Sequence, residues 1–469
     1  MKTRHLLFAG LLGVLTAATA GAQTIIYVSG APAARKPFSN AIYNVLRAGV
    51  TGTGGTITYA YSGNATTTLT NANSLEFYGG HVTVGGNIVP ITVSVSYVGS
   101  SAGIQAVAGQ IPVQFLPNNV TPGGGSNGGG AYPEPNGNTN AAQYYSTIPQ
   151  FTASDEFQGS TPWEGTNSLN TNYGSPIDYQ TLTSEIVGIL PYRFVTNVDA
   201  PSTIANITPE QARQLWETGY IYLSQLTGQN ADEGGIVYAL GRDVGSGLRT
   251  VLLSETGIGV RTSVVQYEPV LTTSTNPYLS GQYTSHAGAI VTGGTYAYVS
   301  GTANLPVYAN ETINGLPLLN GDAGYPSFTN LGNALAAYTN TTGTNGGAGN
   351  LTNAALSGTA GWFVTGLADS DAQTAFSNGA HEVAWNGVYL GTLPAGGGAS
   401  TQLAEGYYTF WSYLQLQFLP TASNYSSTAS ALVSALYTDL YNTDATVLLK
   451  NVNIGRTQDG GNILPYQPY

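Results

Sequence analysis

Residues 241–250 read Gly-Arg-Asp-Val-Gly-Ser-Gly-Leu-Arg-Thr, and they gather Arg242, Asp243 and Arg249 around a Gly-Ser-Gly turn in a chain of which only 8% is charged. A guanidinium presents a rigid fork of donors to two oxygens of an oxyanion, and the hydroxyl of Ser246, four residues on, adds another. The same segment also suits a surface turn in which Arg242 pairs with Asp243 or another carboxylate, and its ten residues do not decide between the two. Other chemistry is sparse. His81, His286 and His381 are scattered without metal-ligand spacing. No Ser/His/Asp order and no metal-ligand set stands out, which argues against an exported phosphatase or another nucleophilic hydrolase. The expectation is a binding protein, not an enzyme, with no cofactor and no metal.

The elements around this segment explain what it could do. Ile236 to Leu240 predict a strand, GRDVGSG a turn, and Leu248, Val251 and Leu252 the buried stripe of a helix ending at Gly257. Two earlier stretches have the same design: TIIYVSGAPAARKPFSNAIYNVLRA at 24–48, and ITVSVSYVGSSAGIQAVAGQ at 91–110. Each junction leaves unpaired N–H groups and the positive end of a helix dipole at the strand's carboxyl end, where anions bind and where open α/β sheets hold ligands. Thr208-Pro209-Glu210-Gln211 predicts a capping box with proline at the first helical position, and Gly219 the C-cap. After FTASDEF at 151–157, a further strand is expected in EIVGILPYRFVTNV at 185–198, and a helix over about 428–442. Trp362, Trp385 and Trp411 either line a cleft or, as aromatic residues in strands more often do, fill the core.

Composition sets the limits. Lys2 and Arg4, the apolar run LLFAGLLGVLTAATA and the small-residue exit Ala20-Gly21-Ala22 predict a secretory leader over 1–22, so the mature protein is expected in the periplasm or secreted after cleavage near Ala22. The formal net charge is −12. That argues against nucleic acid and anionic membranes as partners, while leaving room for a small anion in a local pocket. With no cysteine, disulfides and thiolate sites are excluded. Gly/Thr/Asn-rich stretches at about 51–90, 117–147 and 275–358 predict β insertions and surface loops around the αβ units.

The stretch ITPEQARQLWETGYIYLSQLTGQNADEGGIVYALGRDVGSGLRTVLLSETG resembles the second lobe of periplasmic phosphate-binding proteins, the solute receptors of phosphate ABC importers, with their Leu-Thr-x-x-Gln helix and Arg-x-x-Gly-Ser-Gly-Thr anion loop. YVGSSAGIQAV at 97–107 resembles that family's Gly-Ser-x-Gly-Gly junction, and TASD at 152–155 its Ala-Ser-Asp. AGWFVTGLAD and GYYTFWSY extend the likeness more thinly. The resemblance implies a two-lobed, type 2 binding-protein fold. Lobe one would take 23–195 and 406–469, and lobe two 196–405. It implies that Arg242, Ser246 and the Gly247 and Leu248 amides hold the anion from one lobe, with Ser100, Ser101, Asp155 and Ala33 opposite. A carboxylate such as Asp155 is tolerable there only if the anion brings a proton, which favours phosphate over sulfate. Leu248 stands where the family has threonine, and SGAPAAR at 29–35 lacks the family's hydroxyl-bearing first loop. Phosphate or a similar oxyanion, with an ABC importer permease as partner, is the leading expectation. The alternative is a cell-surface or matrix structural protein that reuses the scaffold without a ligand.

Overall fold

In a computed structural model of the protein, which describes residues 24–50, 55–62, 68–117, 129–132, 144–166, 177–198, 200–233, 235–260, 262, 264–266, 312–313, 316–317, 324–325, 331–332, 335 and 361–465, all three strand-to-helix units are present. The expected leader, His286 and most of 117–147 and 275–358 lie outside those residues. The first apolar run forms β1 (Thr24–Gly30), a 3-10 turn (Pro32–Ala34) and α1 (Arg35–Val50), whose Phe38, Ala41, Ile42 and Leu46 are buried. β2 (Thr58–Ser62) is followed by β3 (Ser74–Val84) and β4 (Asn87–Ser96), a hairpin turned at Gly85-Gly86. Then come α2 (Ser100–Ala108), β5 (Gly129–Tyr132), β6 (Phe151–Ser154), the long β7 (Thr183–Thr196) and the short β8 (Asn206–Ile207). Helix α3 (Pro209–Thr218) has both capping-box bonds, Gln211 N–H to Thr208 Oγ1 and Thr208 N–H to Gln211 Oε1, and stops at left-handed Gly219. The second half adds β9 (Tyr220–Tyr222), β10 (Ile236–Ala239), α4 (Gly247–Glu255), β11 (Gly361–Ala368), α5 (Asp369–Ser377), β12 (Glu382–Trp385), β13 (Trp411–Phe418) and α6 (Ser427–Asp439).

These strands make one large mixed sheet in the order β9-β10-β11-β7-β13-β6-β1-β4-β3-β2-β5, with β12 pairing β7 and β8. Parallel pairing is confined to β4-β1-β6, β10-β11, β8-β12 and β2-β5. β7 joins the two sides. Its residues 183–191 pair antiparallel with β13, and from Tyr192 onward it pairs antiparallel with β11. The handover falls at Pro191, which has no N–H to give either neighbour.

One face of the sheet is apolar and the other is not. Ile26 and Val28 on β1 face the same way as Val93 and Val95 on β4 and Phe151 on β6, and α1 and α6 pack over this side. On the opposite face a row of small or amide side chains crosses five strands in register: Ser74, Ser96, Ser29, Thr152 and Gln417, all buried. Their short side chains let α2 approach so closely that a Cβ on Gly103 would overlap Thr152 Oγ1. Glu76, in the next row opposite Ser94, is fully buried, with Tyr78 beside its carboxylate. Trp385 and Trp411 are core residues, and Trp362 is half-buried.

The chain's end runs back across the sheet. Arg456 lies 3.9 Å over the Trp411 ring, pairs with Glu255 at the end of α4 (Nη1 to Oε1, 2.5 Å) and donates from Nη2 to Thr409 O. Asp459 accepts the Phe157 N–H at 2.8 Å and donates its own N–H to Ser160 Oγ at 3.2 Å. Among the described residues, no helix is long and apolar enough to cross a membrane.

Candidate functional site

Three junctions distant in sequence meet through their backbones. Ala31 N–H donates to Ala153 O at 2.8 Å, Gly99 N–H to Gly30 O at 3.2 Å, and Ala102 N–H to Gly245 O at 3.2 Å. These bonds tie the turn after β1 to the ends of β6 and β4, and the start of α2 to the loop before α4. Gly99, at φ +114, admits the contact because it has no side chain; a Cβ there would overlap Gly245 O.

Asp155 stands where they converge. Ser100 Oγ accepts its N–H at 2.5 Å, and the Tyr192 hydroxyl donates to its Oδ2 at 2.7 Å, while Tyr192 and Ser412 share a further 2.8 Å bond. Its Oδ1 has no hydrogen-bond partner, yet Asp155 is only 1% exposed. That oxygen lies against the first residue of α4: a Cβ on Gly247 would overlap it and come 2.8 Å from Ser100 Cβ. A carboxylate at a helix start is stabilised by the dipole and by N–H groups that have no intrahelical partner. Burial nevertheless raises the Asp155 pKa, against the lowering effects of Ser100, Tyr192 and Arg242.

Beside it, Ser101 Oγ donates to Glu156 Oε1 at 2.6 Å and lies 3.1 Å from Thr250 Oγ1 on α4. Burial first, and the neighbouring Asp155 second, push the Glu156 carboxyl well above the usual range. Sequence reasoning did not single out Glu156, although its place directly after TASD was visible.

Arg242 is 1% exposed. Its Nε donates to Tyr325 O at 2.6 Å, and its own carbonyl accepts from Gln266 Nε2 at 2.8 Å. Burial lowers its pKa, while Asp243 and Asp155 support its charge. Asp243 is raised by burial to about 6, offset by Arg242 and Arg249. Two further charges act here. Arg35 at the start of α1, anchored on Asn71 O at 2.6 Å, and Asp371 in the first turn of α5 both influence Arg242 electrostatically. Burial raises Asp371, and Arg35 and Arg242 draw it back down. A fourth strand-to-helix junction, β11 to α5, thus borders the site. Its sequence signal was the acidic first turn of ADSDAQ after an apolar strand. Arg193 on β7 fixes this junction through Asp369 (2.6 Å) and Glu382 (2.7 Å).

The remaining expected residues are placed as follows. Ser246 is the N-cap of α4 but makes no capping bond from its side chain, so its hydroxyl is not spent on the helix. Leu248 turns its side chain into the core, where its Cδ1 would sit 3.1 Å from a Cβ on Gly366, and only its N–H faces the helix start. Ala33 lies buried in the 3-10 turn, and of its junction it is Arg35 whose charge reaches Arg242. A cavity of about 10 Å³, room for one water, shares Arg242 and Leu248 with the site, and its other lining residues include Trp216, Arg249, Leu252 and Gln266. Among the described residues, no group of three or more His, Asp or Glu is arranged to hold a metal.

No family model and no curated protein matches the chain. Among solved structures it is similar to a possible phosphate binding protein from Planctomyces limnophilus DSM 3776, with TM-score 0.32 and 9% identity over 89% of this chain and 88% of that one. It is also similar to PstS from Borrelia burgdorferi (TM-score 0.32, 10% identity, 89% and 96% covered) and to a phosphate-binding protein from Stenotrophomonas maltophilia (TM-score 0.32, 15% identity, 89% and 84% covered). At that TM-score the likeness carries no argument, and the functional reading rests on the residues themselves.

Proposed function

We propose that the protein is an exported, two-lobed, type 2 binding protein that captures phosphate or a similar protonated oxyanion where the four junctions meet, and that it acts by binding, not catalysis. The observation that carries this reading is Asp155 Oδ1, buried and without a hydrogen-bond partner at the start of α4 in the field of Arg242. An unpartnered buried carboxylate oxygen is costly, and a ligand O–H satisfies it. Hydrogen phosphate brings such a proton while Arg242, Ser246 and the Gly247 and Leu248 amides answer its other oxygens; sulfate brings none at neutral pH. Closure of the lobes would be favoured by contacts made only in the closed form. An ABC importer permease is the partner that would receive the anion.

A second reading has its own support. Ala102 N–H is already taken by Gly245 O, and Gly99 and Gly245 are packed without a gap, so the junctions hold one another directly. A structural protein that keeps the scaffold permanently closed would be built this way. Titration calorimetry with phosphate, sulfate and molybdate separates the two, alongside Arg242→Ala. A receptor binds phosphate, prefers it to sulfate and binds it measurably but much more weakly as Arg242→Ala. Its stability then rises by about 2.7 kcal/mol at a hundredfold excess over Kd. Absence of binding by any of the three anions to the wild type would leave the structural reading standing.

A further inference from the structure

We infer that the Gly324–Tyr325 step, 83 residues downstream of Arg242, is a positioning element that sets the Arg242 guanidinium in the anion site. Three hydrogen bonds, one from the Arg242 side chain and two between main chains, join the two segments. Arg242 Nε donates to Tyr325 O at 2.6 Å, Asp243 N–H donates to the same oxygen at 3.3 Å, and Tyr325 N–H returns to Gly241 O at 2.9 Å. The pairing is a single parallel bridge outside the sheet, and Tyr325 is buried with Arg242. Gln266 Nε2, beside Gly324, and at 3.4 Å Arg249 Nη1 donate to the Arg242 carbonyl.

A bond at Nε does something a bond at a terminal nitrogen does not. It fixes the guanidinium plane and its rotation about the long side chain. An arginine carries substantial rotamer entropy, so a guanidinium already oriented loses less on meeting an anion. Gly324 is the point at which this arrangement is most easily broken. A Cβ there would overlap Gln266 Nε2 and come 2.5 Å from the Arg242 carbonyl carbon, so any side chain pushes the step away from Arg242. Residues 324–325 belong to the 275–358 stretch, which from its composition looked like decoration; on this geometry a piece of it completes the site.

The inference rests on Arg242 being an anion ligand, and the test separates the two claims. In anion-free protein labelled with 15N-arginine, the Arg242 Nε–H resonance, assigned by its loss in Arg242→Lys, is expected to exchange slowly with solvent. It should remain slow in Tyr325→Phe, which keeps the main-chain carbonyl that Arg242 uses, and become fast in Gly324→Ala. Fast exchange in the wild type overturns the inference without recourse to any variant, so a Gly324→Ala protein that fails to fold does not protect it. In calorimetry with phosphate, Gly324→Ala is expected to weaken binding about 10- to 100-fold, with Tyr325→Phe close to wild type. In an Arg242→Ala background it should add no further loss; an equal loss in both backgrounds would mark a general structural effect and overturn the inference. Slow exchange together with no phosphate binding by the wild type would uphold the positioning of Arg242 and overturn the anion-binding reading.

Discussion

Asp155 and Gly247 touch: the carboxylate from the end of β6 abuts the first residue of α4, with no space for a Cβ between them. Helix propensity alone would make Gly247→Ala stabilising by up to about 1 kcal/mol. The contact reverses the expected sign, since the methyl must displace a buried carboxylate held by Tyr192. A destabilisation of roughly 1–3 kcal/mol is expected in urea unfolding, together with loss of any phosphate response. A stabilised variant would show that the contact does not exist in solution.

Leu248→Thr places a hydroxyl directly after Gly247, but the side chain here points into the core beside Gly366 and Phe410. No gain in phosphate affinity is expected. Stability should fall by about 2–3 kcal/mol, because buried aliphatic volume is lost and a hydroxyl is placed in an apolar setting. Calorimetry and urea unfolding of the one variant check both halves.

Burial raises Glu76 from 4.5 to about 7 and Asp459 from 3.8 to about 7. The folded state therefore holds these protons more tightly than the unfolded chain. Their contribution to stability is fully present below about pH 4 and is lost as pH rises through about 7. Stability should be greater at pH 4.5 than at pH 8. For Glu76 alone the change is roughly 2–4 kcal/mol, and Glu76→Gln should remove that part of the slope. Equal slopes for wild type and variant would refute the assignment.

Arg456→Met leaves Glu255 buried without its cation and should cost about 3–5 kcal/mol. Adding Glu255→Gln should recover a large share of that loss, because the stranded charge goes with it. A double-mutant cycle in urea shows this as strong non-additivity, whereas simple addition would mean the pair is not coupled.

Much of this architecture is legible in local sequence. The strand-Gly/Ser-helix signature at 24–50, 91–108 and 236–255, the Thr208 capping box and the Gly219 stop all arise from short-range sterics and hydrogen bonding, and they stand within a residue or two of where the sequence puts them. The pairing of β7 with both β13 and β11 is not local, since strands of similar apolar pattern suit many partners. Within the site, Ser100, Asp155 and Gly247 were recognisable and do come together. Tyr325 was not, because it acts through a main-chain carbonyl that any residue type supplies. Leu248 looked like a lost donor, and the sequence alone did not show that its side chain faces the core. Asp371 was hidden because an acidic first turn is ordinary helix chemistry until its neighbours across the fold are known.

Pro191 and Tyr192 give the shared strand a mechanical meaning. The strand changes partners at a residue that cannot donate a hydrogen bond, and the next residue carries the hydroxyl that grips Asp155. Bending of the sheet would concentrate at this weak rung and swing the Tyr192 ring with it. Sheet curvature and the orientation of the Asp155 carboxylate would thereby be geared together through one hydroxyl.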